Sequence, residues 1–297
     1  WNTYEMPGSL SKAQYESDPS QAENGADEAE EHDLTSYLSF EWFPFYNTEL
    51  SLDGGYRYQA QSYDTPSDFT PHYTDRVYHT LEGSPKVVVE GTTGPFPWQL
   101  ISGFDVYHSN QEIVEFSDKD RTTKNFTSEL TLTSYGAFVK PNIEFTEEIK
   151  AEAGVRYETA KITGKKEVAD IDESDRHQAF VYDGGLNYQP LDNLKLYAKG
   201  GTLFRYPFTD EQAAVAGFQD GFNSELDPEK GVNAEIGTKL VLKNKLNFSL
   251  NGYYLQMKDE IAWYDPDGFG PEPGQNVNRE KSRRWGIDTE LMATLHK

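Results

Sequence analysis

Apolar and polar positions alternate through most of this chain. Leu194, Leu196, Ala198, Gly200, Thr202 and Phe204 interleave with Lys195, Tyr197, Lys199, Gly201, Leu203 and Arg205. A period of two predicts a β-strand with one apolar or small face and one largely polar face. After an irregular acidic run, Val232, Ala234, Ile236, Thr238 and Leu240 alternate with Asn233, Glu235, Gly237 and Lys239. That pattern predicts a second strand returning from the first.

The same unit recurs along the chain. Leu38, Phe40 and Trp42 share one face of residues 34–45, and Leu50, Leu52, Tyr56 and Tyr58 share a face opposite Asp53 and Arg57. Phe104 and Val106 oppose Gly103 and Asp105, while Phe180, Tyr182, Leu186 and Tyr188 line one side of residues 178–190. Ala151, Ala153, Val155 and Tyr157 oppose Lys150, Glu152, Arg156 and Glu158. These last four polar residues are expected to form cross-strand ladders with Asp183, Lys195 and Lys199.

About eleven strands result, joined alternately by short turns of about two to five residues and long ones of roughly ten to thirty. Long external loops are predicted at residues 1–33, 61–77, 109–125, 164–176, 208–230 and 262–283. Parts of 1–33 favour helix, and its acidic run 25–33 reads as solvated surface. A β-sandwich would show similar loops at both ends. The predicted fold class is therefore all-β, an antiparallel up-and-down transmembrane β-barrel with a polar lumen. Trp42, Trp98 and Trp263 near strand ends suit interfacial aromatic girdles.

Composition changes this picture in a few places. With 50 acidic and 27 basic residues the net charge is −23, which repels phosphate backbones and argues against nucleic acid as a partner. The absence of Cys excludes disulfides and thiolate metal sites. The 19 Tyr, 17 Phe and 5 Trp favour strands. No run of about 18 apolar residues exists to form a spanning helix, but barrel strands need only about 9–11 residues with alternate ones apolar. Hydropathy alone also fits a soluble acidic β-protein that binds carbohydrate through its aromatics. A passive porin-like channel is a further alternative. No nucleophile elbow, zinc-protease motif or P-loop is present, so no enzyme chemistry and no cofactor is expected.

Several segments, taken in order, resemble the TonB-dependent outer-membrane receptors. Phe204-Arg205-Tyr206-Pro207 followed by Asp210-Glu211 is similar to the family's F-R-x-P…E strand end. Asn223-Ser224-Glu225-Leu226-Asp227-Pro228-Glu229 resembles its N-P-x-L-x-P-E segment, with Ser224 in place of the usual proline. Ala234-Glu235-Ile236-Gly237, Ala153-Gly154-Val155-Arg156-Tyr157, and Asn278 with Gly286-Ile287-Asp288-Thr289-Glu290 match further strands. The order and spacing of these segments across residues 130–295 carry the resemblance; no single motif does.

The resemblance implies a barrel of about 22 strands around a plug, of which this chain would be a fragment. It also implies location in the bacterial outer membrane, contact with outer-membrane lipid, and import of a scarce ligand using energy from the TonB complex through parts of a longer parent. A ferric siderophore is the favoured ligand, with cobalamin or a glycan as alternatives. The haem-uptake branch carries a ligand His between its two central motifs, and residues 208–222 contain none. Candidate ligand-binding residues are Arg205, Tyr206, Phe218, Phe222, Trp263, Tyr264 and Phe269. For Arg205 the bland alternative, pairing with Glu211 or a loop carboxylate, outweighs a ligand contact. Asp265 and Asp267 are weak Ca²⁺ candidates that lack the spacing of a full calcium loop, and no firm metal site is predicted.

Overall fold

A computed structural model describes residues 1–5, 10–21, 27–66, 72–214, 221–242, 245–265 and 274–294. The chain begins with β1 (Asn2–Glu5) and α1 (Lys12–Ser17), then runs through β2 (Glu28–Phe45), β3 (Thr48–Thr65), β4 (His72–Thr93), β5 (Phe96–Phe116), β6 (Lys124–Glu144) and β7 (Ile149–Lys166). A 3-10 turn at Glu167–Ala169 leads to β8 (Ile171–Leu191) and β9 (Leu194–Arg205). Next come α2 (Thr209–Gln212), β10 (Ala213–Ala214) and β11 (Gly221–Phe222), followed by β12 (Glu229–Leu242), β13 (Leu246–Tyr264) and β14 (Gln275–Ala293). Twelve strands form one antiparallel sheet in chain order, with β10 and β11 as a separate hairpin between β9 and β12. Among the described residues the sheet is open, with β1 and β14 at its two ends.

The predicted alternation sorts side chains strictly by face. Ala151, Leu186, Ala198, Ile236, Gly252 and Ile287 sit side by side across six strands. One residue along, the other face carries Glu152, Gly185, Lys199, Glu235, Tyr253 and Gly286 in the same order. The apolar face is uncovered: Ile236, Ile287 and Trp285 are 69%, 71% and 78% exposed. The sandwich reading required a second layer over this face, and none covers it among the described residues. An apolar surface of this extent calls for a non-aqueous neighbour.

Polar side chains on the opposite face bridge strands, although not with the expected partners. Arg156 reaches past β6 to Asp105 on β5 and also bonds Glu158 at 2.6 Å. Lys150 pairs with Glu144, Glu152 with Lys140, and Lys199 with Glu235. Glycine explains the long reach of Arg156. A Cβ on Gly136 would lie 2.2 Å from an Arg156 Nη, so only a bare backbone lets the guanidinium cross. Asp183 similarly lies over Gly154, where a Cβ would come within 2.5 Å of its carboxylate.

The strands also run further than the sequence pattern places them. β3 and β4 leave only 66–71 between them, β5 and β6 only 117–123, β7 and β8 only 167–170, and β13 and β14 only 265–274. Within 1–33 the helix is Lys12–Ser17, started by a reciprocal Ser11–Gln14 capping box, and the acidic run enters β2 at Glu28. In these stretches polar and charged residues interrupt the alternation while ladder pairing continues. Gln61 opposite Arg76 and Glu112 opposite Glu129 are examples. The tight end has the turn chemistry expected of it: Gly94 takes φ 62° between β4 and β5, a left-handed conformation that glycine adopts without strain.

Gly136→Val is expected to push Arg156 off Asp105 and to destabilise the sheet by about 1–3 kcal/mol, the usual cost of overpacking. Chemical unfolding of the detergent-solubilised protein would measure this. The loss should shrink when Gly136→Val is combined with Arg156→Ala, since the two side chains compete for one space.

Candidate functional site

The polar end of β9 shows where the apolar band stops. Phe204 faces outward, and its neighbour in register is Lys230, which itself lies opposite Lys258. Arg205 therefore stands above the band on the inner face, where the chain leaves the sheet. Its guanidinium grips Glu211 with two hydrogen bonds, 2.6 and 3.1 Å, and Glu229 with a third of 2.6 Å. The Phe208 ring lies 4.6 Å from the guanidinium carbon. Glu211 also accepts from the Phe208 N–H (2.7 Å), and Glu229 from the Ile261 N–H (2.9 Å). Hydrogen bonding to Glu229 holds the Arg205 guanidinium above its ordinary range, and Arg205 holds the Glu229 carboxyl below the usual carboxylate range.

This ion triad flanks a segment whose described residues, 206–214 and 221–228, fold onto the inner face of the sheet. α2 packs on β6 and β7, and β11 on β8. Buried Ala213 joins Ile113, Leu130 and Ile171 in the main apolar cluster, and Phe222 packs against it. Gly164 on β7 makes the contact possible, because a Cβ there would come within 2.8 Å of Ala213 and 3.1 Å of Phe222. Gln212, only 1% exposed, meets His177 at 3.0 Å and donates to Asp175 at 3.0 Å.

β14 ties down the far side of the segment. Asn276 donates to the Glu211 carbonyl at 3.1 Å, and Asn223 donates to the Asn276 carbonyl at 2.9 Å. Asn278 brackets Asp227, accepting from its N–H and donating to its carbonyl, each at 2.9 Å. The motif residues that are scattered in sequence thus meet in one knot.

Of the candidate ligand residues, Arg205 is committed to its two glutamates, and its pairing with Glu211 follows the structural alternative weighed for it. Tyr206 is half-buried, stacked on His177 at 5.9 Å and edge-on to Phe204 at 5.0 Å, and burial pushes its phenol pKa up. Phe222 faces the apolar cluster. Trp263 and Tyr264 are 62% and 45% exposed at the end of β13, with Arg279 over the Tyr264 ring at 5.2 Å. Phe218, Phe269 and Asp267 lie outside the described residues. Asp265 is engaged with another group, and among the described residues no cluster of three or more His, Asp or Glu is placed to hold a metal ion. His177, Gln212 and Asn276 were not legible as site residues. The N-x-N spacing of Asn276 and Asn278, which puts both on one side of a strand, is the signal that could have marked the second anchor.

A family model described as TonB dependent receptor-like, beta-barrel, matches residues 2–295. Among solved structures, the unliganded ferric citrate transporter FecA superposes with a TM-score of 0.80 at 16% identity, over 97% of this chain and 43% of that one. The ferric-catecholate import receptor Fiu from E. coli K12, in its closed form, gives 0.70 at 14% identity over 99% and 50%. The copper transporter OprC gives 0.73 at 16% over 91% and 44%. The chain thus spans half or less of the length of these structures. No curated protein matches the sequence.

Replacing Arg205 with Ala should free residues 206–228 from the sheet, with a loss on the order of 1–3 kcal/mol for charge-assisted hydrogen bonds. Faster amide hydrogen exchange in α2 and around Asn223 would report it. Acid should mimic the change. The Glu229 pKa is depressed in the folded protein, so its contribution is complete above the unfolded carboxylate range and is lost as pH falls through the folded value. Exchange in the segment should therefore accelerate toward low pH in the wild type and change less in Arg205→Ala, once corrected for the intrinsic pH dependence of exchange.

Proposed function

Because the chain belongs to the TonB-dependent receptor β-barrel family, we propose that it is part of a bacterial outer-membrane transporter that captures a scarce ligand and imports it with energy delivered through TonB. A ferric siderophore is the favoured ligand. The observation that carries this reading is the pairing of an uncovered apolar outer face with a polar inner face onto which α2, β10 and β11 fold. A gated carrier needs parts that can be held and released, and the latched inner segment supplies one.

Capture is assigned to the wall beyond the apolar band. Strands there continue well past the lipid-facing rows, as in β4 and β5 with 22 and 21 residues. The exposed rings of Trp263 and Tyr264 offer flat surfaces for a ligand whose metal is already wrapped in its own chelator. Phe218 and Phe269 would add to them. Arg205 serves as the anchor of the inner segment, and Tyr206 as the residue through which that segment rests on β8. Iron import also fits the named activities of FecA and Fiu.

Cells carrying the intact protein should take up a radiolabelled ferric siderophore under iron limitation, and uptake should vanish when TonB is deleted. Trp263→Ala should weaken ligand binding about tenfold, in line with the roughly 1–3 kcal/mol of a stacked aromatic contact, without altering the fold. Equal uptake with and without the protein across iron chelates, or uptake independent of TonB, would overturn this reading.

A further inference from the structure

Basic side chains gather in rows on part of the outward face. On β12, β13 and β14, Lys230 lies directly opposite Lys258, and Lys258 directly opposite Lys281. On β7 and β8, Lys161 lies directly opposite Arg176. Arg283, two residues beyond Lys281 on the same face, lies opposite Gln256. All six basic side chains are exposed, and among the described residues none forms an ion pair with a carboxylate. On β2–β6 the outward positions include Glu30, Asp75, Glu112 and Glu129, and Glu129 lies opposite Lys165 of β7.

Like charges placed directly opposite one another in a sheet repel. Three lysines in one row, in a chain of net charge −23, therefore call for an anion from outside the sheet. The row sits just beyond the apolar band, since Lys230 is in phase with Val232 and Ile236, and Lys281 with Trp285 and Ile287. Below it opens a cleft of ≈ 400 Å³ lined by Phe180, Phe204 and Val232, with Lys230, Lys258 and Gln256 at its rim. Apolar walls beneath a cationic rim fit an amphiphile. With strands about 4.8 Å apart, the three lysines span about 10 Å.

We infer that this surface is a binding site for an anionic, phosphorylated membrane lipid. Its headgroup phosphate sits on the Lys230–Lys258–Lys281 row, and an acyl chain lies in the cleft against Phe180, Phe204 and Val232. The inference rests on the membrane reading of the fold and adds to it a preferred lipid and a place. It also gives the barrel a fixed depth, because the row pins the upper edge of the apolar band to the headgroup layer.

The test uses the intact protein in nanodiscs of phosphatidylcholine, alone or doped with phosphatidic acid, with native mass spectrometry of the lipids retained on release. Incorporation into phosphatidylcholine discs checks membrane insertion separately from headgroup preference. Phosphatidic acid should be retained in clear excess over its share of the disc, and the excess should fall by about fivefold for each lysine removed in Lys230→Gln, Lys258→Gln and Lys281→Gln combinations. The corresponding Lys→Arg variant should keep it, and inorganic phosphate should not displace it. Retention in proportion to disc composition, by the wild type or the Lys→Arg variant, would overturn the inference even if the Gln variant failed to insert. So would full displacement by inorganic phosphate, which would mark a free-anion site.

Discussion

Everything in this structure depends on one constraint: an antiparallel hydrogen-bond ladder that keeps the side-chain period at two through the middle of the strands from β2 to β14, its register shifts at Trp42–Phe45, Glu115–Phe116 and Tyr188–Leu191 falling at strand ends. Each strand satisfies the backbone of its neighbours, so a thin sheet can stand with different media on its two faces. The outward row Ala151, Leu186, Ala198, Ile236, Gly252 and Ile287 holds no charge, and the row beside it on the other face holds Glu152, Lys199 and Glu235. A slip of one residue in any strand would exchange the two. Little conventional core is needed. The buried apolar cluster around Ile113, Leu130, Ile171 and Ala213 lies where α2 and β11 return to the inner wall.

That return is what turns a sheet into a device. Arg205 closes the end of β9 on Glu211 and Glu229, while Asn276 and Asn278 fasten the other side of the segment from β14. The joints are polar, partly open to water, and grouped at one place. Glycine supplies the clearances: Gly164 admits the segment, as Gly136 admits Arg156 lower down. An inner segment held by a few charge-assisted bonds is stable at rest, yet a competing set of contacts from a ligand or partner could release it.

Much of this was legible in the sequence, and the parts that were not have a common cause. Strands such as Leu194–Arg205 were plain because the two faces of the sheet make opposite demands on successive side chains. Beyond the apolar band polar and charged residues break the alternation, so the outer reaches of β3, β4, β5 and β14 look like loops although their ladders continue. Arg205 with Glu211 was readable at a separation of six residues. Its partner Glu229, the Asn276 anchor and the Gln212–His177 contact join positions far apart in sequence, and pairing at that distance leaves no local pattern. The same holds for Lys230, Lys258 and Lys281, which become neighbours only once register is known.

The most direct measurement is the accessibility of spin labels placed one at a time along β12 of the membrane-embedded protein, from Val232 to Lys239. Oxygen, which partitions into lipid, and a polar nickel chelate would serve as the two collision partners. Labels at Val232, Ala234, Ile236 and Thr238 should favour oxygen, and labels at Asn233, Glu235, Gly237 and Lys239 the nickel chelate, in strict alternation. Equal access of the chelate to both sets would place water on both faces of the sheet and contradict a lipid-facing wall.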